Sequence, residues 1–333
     1  MRYSVVTTEW SGRQLITLRG PNGACASIAP WSGANLIELA LSPDPNEQAV
    51  QLIDTPADAQ TLLREPTRWG SPVLFPFPSR VANSSYTYQD QVYHLDPPPG
   101  GVGPARHGFV LQQSFCVDNY GSNDDHAHAT LIYMGDDANI TRQFPSAFRL
   151  ILRFQLGTNG LVLQVYGENM GGKVMPIGFG WHPYFRLPIG ELGSREQCRL
   201  QVPCAATWEM SDDLVPTGRT LPVTDKLDLR QAPMLGDATF DNGFSECERS
   251  DDNRTKAMLI DEVNNMQLVV DAGPSFSNWV IYTPPQRSAI CLEPYTCPGN
   301  AFNIEAAGIP VGVVHLRPGQ SWEDDVRISL QRS

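Results

Sequence analysis

Hydrophobic and polar residues alternate with a period of two over much of this chain. Leu150, Leu152, Phe154 and Leu156 alternate with Arg149, Ile151, Arg153 and Gln155. Gly157-Thr158-Asn159-Gly160 then turns the chain into Leu161-Val162-Leu163-Gln164-Val165-Tyr166. That pattern predicts a β-hairpin, because successive side chains of a strand point to opposite faces. Tyr86-Thr87-Tyr88 and Val92-Tyr93-His94-Leu95, joined through Gln89-Asp90-Gln91, predict a second. Further strands are expected at 2–8, 13–18, 24–29, 35–41, 266–271, 278–283 and 326–331. Helical periodicity is confined to 57–64. Gly121 to His128 and Glu248 to Arg254 read as polar, solvent-exposed loops, and 96–104 as a stiff Pro- and Gly-rich loop.

The 28 glycines and 28 prolines are spread along the chain, as many short strands and turns require. No change of composition marks a linker and no internal repeat is present. The expected fold is all-β: one large antiparallel β-sandwich domain over residues 1–333, with few short helices.

A formal charge of −12 without a basic stripe argues against nucleic acid and anionic membranes as partners. It also disfavours polyanionic substrates, unless a local arginine cluster overrides it. The seven cysteines, at 25, 116, 198, 204, 247, 291 and 297, match no metal-knuckle or disulfide spacing. They read as free thiols in a reducing compartment. With no apolar leader at the N-terminus and no apolar run of membrane-spanning length, a cytoplasmic location is expected.

Five places combine reactive groups with residues that fix the backbone. Gly180-Trp181-His182-Pro183-Tyr184-Phe185 sets a histidine among aromatics, and the proline holds His182 in extended conformation. Leu74-Phe75-Pro76-Phe77-Pro78-Ser79-Arg80 delivers an arginine from a proline-stiffened platform. In Arg106-His107-Gly108-Phe109, the glycine permits unusual angles or close approach. Phe240-Asp241-Asn242-Gly243-Phe244 puts a carboxylate between aromatics, although Asp-Asn-Gly is also a common turn. In Ile290-Cys291-Leu292-Glu293-Pro294-Tyr295, Glu293 follows an apolar run, where a carboxylate is costly unless paired or working. His182 taken on its own reads first as a core histidine satisfied by a backbone partner. His126-Ala127-His128 offers two metal ligands on one strand face but sits beside Asn123-Asp124-Asp125 in a loop, which argues against a metal site. Glycine-rich phosphate loops, Gly-x-Ser-x-Gly and His-Glu-x-x-His are absent.

Together these elements resemble the galactose mutarotase (aldose 1-epimerase) family over about residues 20 to 330. The matching elements are Phe75-Pro76-Phe77-Pro78-Ser79-Arg80, His107-Gly108-Phe109, His182-Pro183-Tyr184-Phe185, Asp241 and Glu293-Pro294. Asn300-Ala301-Phe302-Asn303 and the closing Leu316-Arg317-Pro318-Gly319-Gln320-Ser321-Trp322 agree as well. Ser79 stands where many relatives carry asparagine.

The resemblance implies a supersandwich fold and interconversion of the anomers of a free aldohexose, by a monomer or homodimer, without metal or cofactor. It implies Glu293 as general base, His182 as general acid, and Arg80, His107 and Asp241 as the sugar-holding groups. At reference pKa values a glutamate is ionised and a histidine partly charged at neutral pH, which suits those roles. Phe75, Trp181 or Trp279 are expected to cover the C–H face of the sugar. Three other readings stand beside this one. They are a hexose-6-phosphate 1-epimerase using Arg80 and Arg106, a glycoside hydrolase using Asp241 and Glu293, and a non-catalytic carbohydrate-binding protein.

Overall fold

The computed structural model describes residues 2–98 and 103–333. The centre of the 96–104 loop therefore lies outside the described residues. The fold is all-β, built of antiparallel sheets with three short α-helices among the described residues. The N-terminal strands Ser4–Trp10, Arg13–Arg19, Cys25–Ala29, Asn35–Leu41 and Val50–Gln51 form a five-stranded meander. A long eight-stranded sheet runs from Arg199–Gln201 at one edge to Cys116–Ser122 at the other. Its centre holds Ser321–Gln331, Gly160–Asn169 and Phe148–Gly157. The predicted hairpin is there, with Gly157 opposite Gly160 across a two-residue turn. The second pairs Ser85–Tyr88 with Gln91–His94, and Gln89 and Asp90 both adopt positive φ.

The third large sheet carries the site. Its order is Pro216–Pro222, Cys204–Met210, Asp241–Cys247, Asn278–Tyr282, Ala289–Tyr295, Gly180–Trp181 and Val73–Leu74. Tyr184–Arg186 also pairs with Ala289–Tyr295. The period of two sorts its side chains. Phe244, Trp279, Ile281, Ile290 and Leu292 are buried in a core cluster shared with Leu152, Phe154, Leu163 and Ile328 of the eight-stranded sheet. The alternate residues Asp241, Val280, Tyr282, Glu293 and Tyr295 come to the other face.

The sequence expectations need three corrections here. Most of 121–128 belongs to two strands, Cys116–Ser122 and His126–Gly135. The small buried residues Ala127 and Ala129 line the inner face and made the segment look polar throughout. Arg254 ends a loop but is buried, bound to Asp271 and, at 2.9 and 3.0 Å, to Asp325. Cys204 and Cys247 are not free thiols: they form a disulfide between neighbouring antiparallel strands, opposite each other in register. The cytoplasmic expectation rested partly on seven free thiols and loses that support. Among the described residues, no helix is long and apolar enough to cross a membrane.

Candidate active site

All five residues singled out by sequence line one cavity of roughly 160 Å³. At roughly 10–15 Å³ per water, that holds about ten waters, enough for one monosaccharide and little more. Its wall comes from two kinds of structure. The sheet supplies Asp241, Glu293 and Tyr295 by strand alternation. Two irregular segments, 75–80 and 106–109, supply Arg80 and His107.

Those two segments hold each other. Phe109 donates its backbone N–H to Phe75 O at 2.8 Å and His107 its own to Ser79 O at 2.9 Å. Gly108 makes this approach possible, with φ +72° and a position where a Cβ would stand 2.0 Å from Phe75 O. In return, Ser79 N–H donates to Nδ1 of His107 at 3.2 Å. A neutral His107 therefore carries its proton on Nε2, ready to donate to a hydroxyl. Burial, then the charges of His182, Arg106 and Arg80, hold its pKa well below the usual histidine value. The Asn300 segment steadies the arginine: Asn300 N–H donates to Arg80 O at 2.7 Å, and its Oδ1 accepts from Ala82 N–H. Arg80 reaches to within 3.9 Å of Asp241.

His182 and Glu293 form the floor, 6 % and 1 % exposed. Pro72 O accepts the backbone N–H of His182 at 3.0 Å. The imidazole lies flat on Tyr184, centroids 4.8 Å apart, and meets His107 edge-on. Behind Tyr184 lies the Arg287 guanidinium, between the rings of Tyr184 and Trp69 and paired with Asp54. Nε2 of His182 is 3.3 Å from Oε1 of Glu293. The Tyr295 hydroxyl donates to Oε2 of Glu293 at 2.6 Å. Nδ1 of His182 has no hydrogen-bond partner of good geometry among the described residues, and only its own backbone favours an imidazolium.

Burial sets the electrostatics. It pushes His182 down to about 3, and the Arg287 charge adds to the effect. It pushes Glu293 well above the usual carboxylate range, against the Tyr295 hydrogen bond. The expectation of an ionised glutamate beside a partly charged histidine is thereby revised. The empty site holds one proton between two groups that both resist charge.

The expectation of aromatic cover is also revised. Phe75, Trp181 and Trp279 are fully buried in the core. Trp181 and Trp279 each stand one residue from a cavity-lining position, which in a strand is the opposite face. The rings that do line the cavity are Tyr184, Tyr282 and Tyr295. Sequence reading passed over Arg68 and Thr67, which a turn after the helix Ala59–Arg64 brings to the rim, and no motif marks them. His126 and His128 share one strand, His126–Gly135. Among the described residues, the one group of three potential metal ligands is His182, Cys291 and Glu293.

The aldose 1-epimerase family profile matches residues 14–329, and the chain belongs to that family. It is 28% identical to the uncharacterized protein YihR of Escherichia coli K12 over 236 residues, 69% of this chain and 71% of that protein. Against the uncharacterized protein YphB of the same organism it is 25% identical over 266 residues, 78% and 82% of the two chains. Its fold is similar to that of a galactose mutarotase-like protein from Clostridium acetobutylicum. The TM-score there is 0.88, with 22% identity over 99% of this chain and 98% of that one. A galactose 1-epimerase from Lactobacillus acidophilus NCFM aligns with TM-score 0.77 and 18% identity over 100% and 99%.

Proposed function

We propose that this chain, acting as one domain, is an aldose 1-epimerase that interconverts the α and β anomers of an aldohexose by acid–base ring opening and reclosure. The observation that carries this reading is the contact between His182 and Glu293 on the floor of a monosaccharide-sized cavity. Mutarotation moves one proton off the C1 hydroxyl and one onto the ring oxygen. Both oxygens are bonded to C1, so the groups that serve them must stand side by side, as these two do.

With the sugar bound, the pair's one proton passes from Glu293 to His182 across their 3.3 Å contact; Glu293 Oε1 then accepts the C1 hydroxyl proton while His182 Nε2 donates to the ring oxygen. The C1–O5 bond breaks, C1 becomes an aldehyde, and the pair is left as a neutral acid beside a neutral imidazole. That is the protonation state which burial favours in the empty cavity, so the ring-opened complex is not penalised by buried charge. Rotation about C1–C2 presents the other face, and the two protons return. Arg80, His107 and Asp241 hold the remaining hydroxyls while C1 turns, a positioning role. The protons balance with Glu293 and His182 alone.

A glycoside hydrolase reading leaves the two cavity histidines without a task, and a pure binding protein has no need of a protonable pair. Polarimetry of freshly dissolved α-D-glucose and α-D-galactose tests the proposal. The protein is expected to speed the decay of optical rotation in proportion to its concentration; a decay no faster than the buffer's on any aldohexose, charged or neutral, would refute it.

A further inference from the structure

Cys291 is fully buried, two residues before Glu293 on the same face of the strand Ala289–Tyr295. The proposed reaction gives it no task. One ligand atom each of His182, Cys291 and Glu293 lie within 4.8 Å of one another. Sulfur, imidazole nitrogen and carboxylate oxygen are the donors that zinc takes, whereas magnesium and calcium take oxygen.

The spacing suits a tetrahedral ion. Nitrogen and oxygen ligands at the usual zinc distances and the tetrahedral angle stand about 3.3–3.5 Å apart. Nε2 of His182 and Oε1 of Glu293 are 3.3 Å apart. The corresponding edge to sulfur is about 3.6 Å, so the thiol has about 1 Å to close. Oε1 of Glu293 is buried and accepts no hydrogen bond among the described residues, which leaves its lone pairs free for a metal.

The charges balance as well. Binding releases the thiol proton and the one proton of the pair to solvent. What remains is a dication, a thiolate, a carboxylate and a neutral imidazole, with no net charge, as a buried site requires. Glu293 and His182 line the cavity, so the ion enters from there and its fourth position turns toward it.

We infer that His182, Cys291 and Glu293 form a zinc site that shuts the enzyme off, because bound zinc occupies the two atoms that exchange protons with the sugar. The inhibition rests on the epimerase reading; the metal site does not.

The test uses a Cys116→Ser background, which removes the exposed free thiol. The chelator-stripped protein is titrated with Zn2+ by calorimetry and with Co2+ as a spectroscopic probe. One zinc per chain is expected, and a near-ultraviolet cobalt–thiolate band that zinc abolishes. Anomer exchange, read as the ratio of rates with metal and with chelator, is expected to fall about a hundredfold in saturating zinc and to be unmoved by magnesium. Cys291→Ser and Cys291→Ala are each expected to weaken zinc binding about a hundredfold or more, since even an outer partner of a metal ligand is worth up to that. Both are expected to return the ratio to near one. Absence of the cobalt–thiolate band, zinc binding unmoved by both substitutions, or full activity in saturating zinc overturns the inference. Zinc held through Cys291 by a protein that turns over no aldohexose in chelator upholds the metal site and overturns the epimerase reading.

Discussion

Oε2 of Glu293 accepts a 2.6 Å hydrogen bond from the Tyr295 hydroxyl, two residues on along one strand and on the same face. In a cavity that raises the glutamate's pKa, this bond is the main one favouring its ionised form. Tyr295→Phe removes it without changing the fold. Hydrogen bonds to charged groups contribute about 1.5–3 kcal/mol, so kcat is expected to fall about tenfold or more, with sugar affinity little changed. Steady-state kinetics with Tyr295→Phe checks this; an unchanged kcat would remove the tyrosine from the reaction.

The depressed His182 and raised Glu293 pKa values predict an unusual pH profile. The pair holds one proton from about pH 3, where His182 titrates, up to the raised pKa of Glu293. Log kcat/KM is therefore expected to show no histidine limb between pH 5 and 7. A pair with ordinary values would show a histidine limb near 6.5. Rates measured at half-unit steps across that range distinguish the two.

The same burial ties stability to pH. His182 has a folded pKa near 3 against an unfolded 6.5, so the unfolded chain binds the extra proton first. Its contribution is fully present above pH 6.5 and is lost as pH falls toward 3, at about 1.4 kcal/mol for each unit of that window. His107, also depressed, adds to it. Glu293, raised in the folded state, keeps a proton that the unfolded carboxylate gives up, so it offsets His182 over this range. The Tm drop between pH 7 and 4.5 is therefore expected to be modest, and Glu293→Gln to deepen it. A drop no deeper in that variant would mean that Glu293 does not offset His182.

Gly108 is a structural hinge point for the arginine and histidine segments. Gly108→Ala forces a side chain against Phe75 O at positive φ. A loss of about 2 kcal/mol or more is expected, with a raised KM because Arg80 and His107 lose their mutual support. Denaturant unfolding and KM together check it; a variant of native stability would mean that the segments tolerate separation.

Much of this architecture was legible in the sequence because period-two alternation survives wherever one strand face is buried. The hairpin turning at Thr158-Asn159 is the clearest case. His107, His182 and Glu293 were legible because a glycine or proline follows each directly, and Arg80 and Asp241 because one stands two positions away. What escaped has a physical reason in each case. Trp181 and Trp279 were misplaced by a single residue of register, which flips a strand side chain from cavity to core. Arg68 reaches the rim through tertiary folding of an irregular turn and has no local signature. Cys204 and Cys247 are 43 positions apart, and only strand pairing brings them opposite. Arg254 lies in a polar run, and its burial depends on Asp271 and Asp325 from distant strands. The pKa inversion at Glu293 and His182 depends on burial depth, which reference values ignore.

The proton exchange between His182 and Glu293 is tested most directly by Glu293→Gln, an exchange of nearly equal shape that keeps the Tyr295 contact but cannot take a proton. General acid–base groups contribute roughly 10²–10⁴-fold. Anomer equilibration of the best substrate, followed by NMR, is expected to slow by that factor while calorimetry still detects binding of the sugar. A Glu293→Gln protein that equilibrates anomers at the native rate would contradict the account.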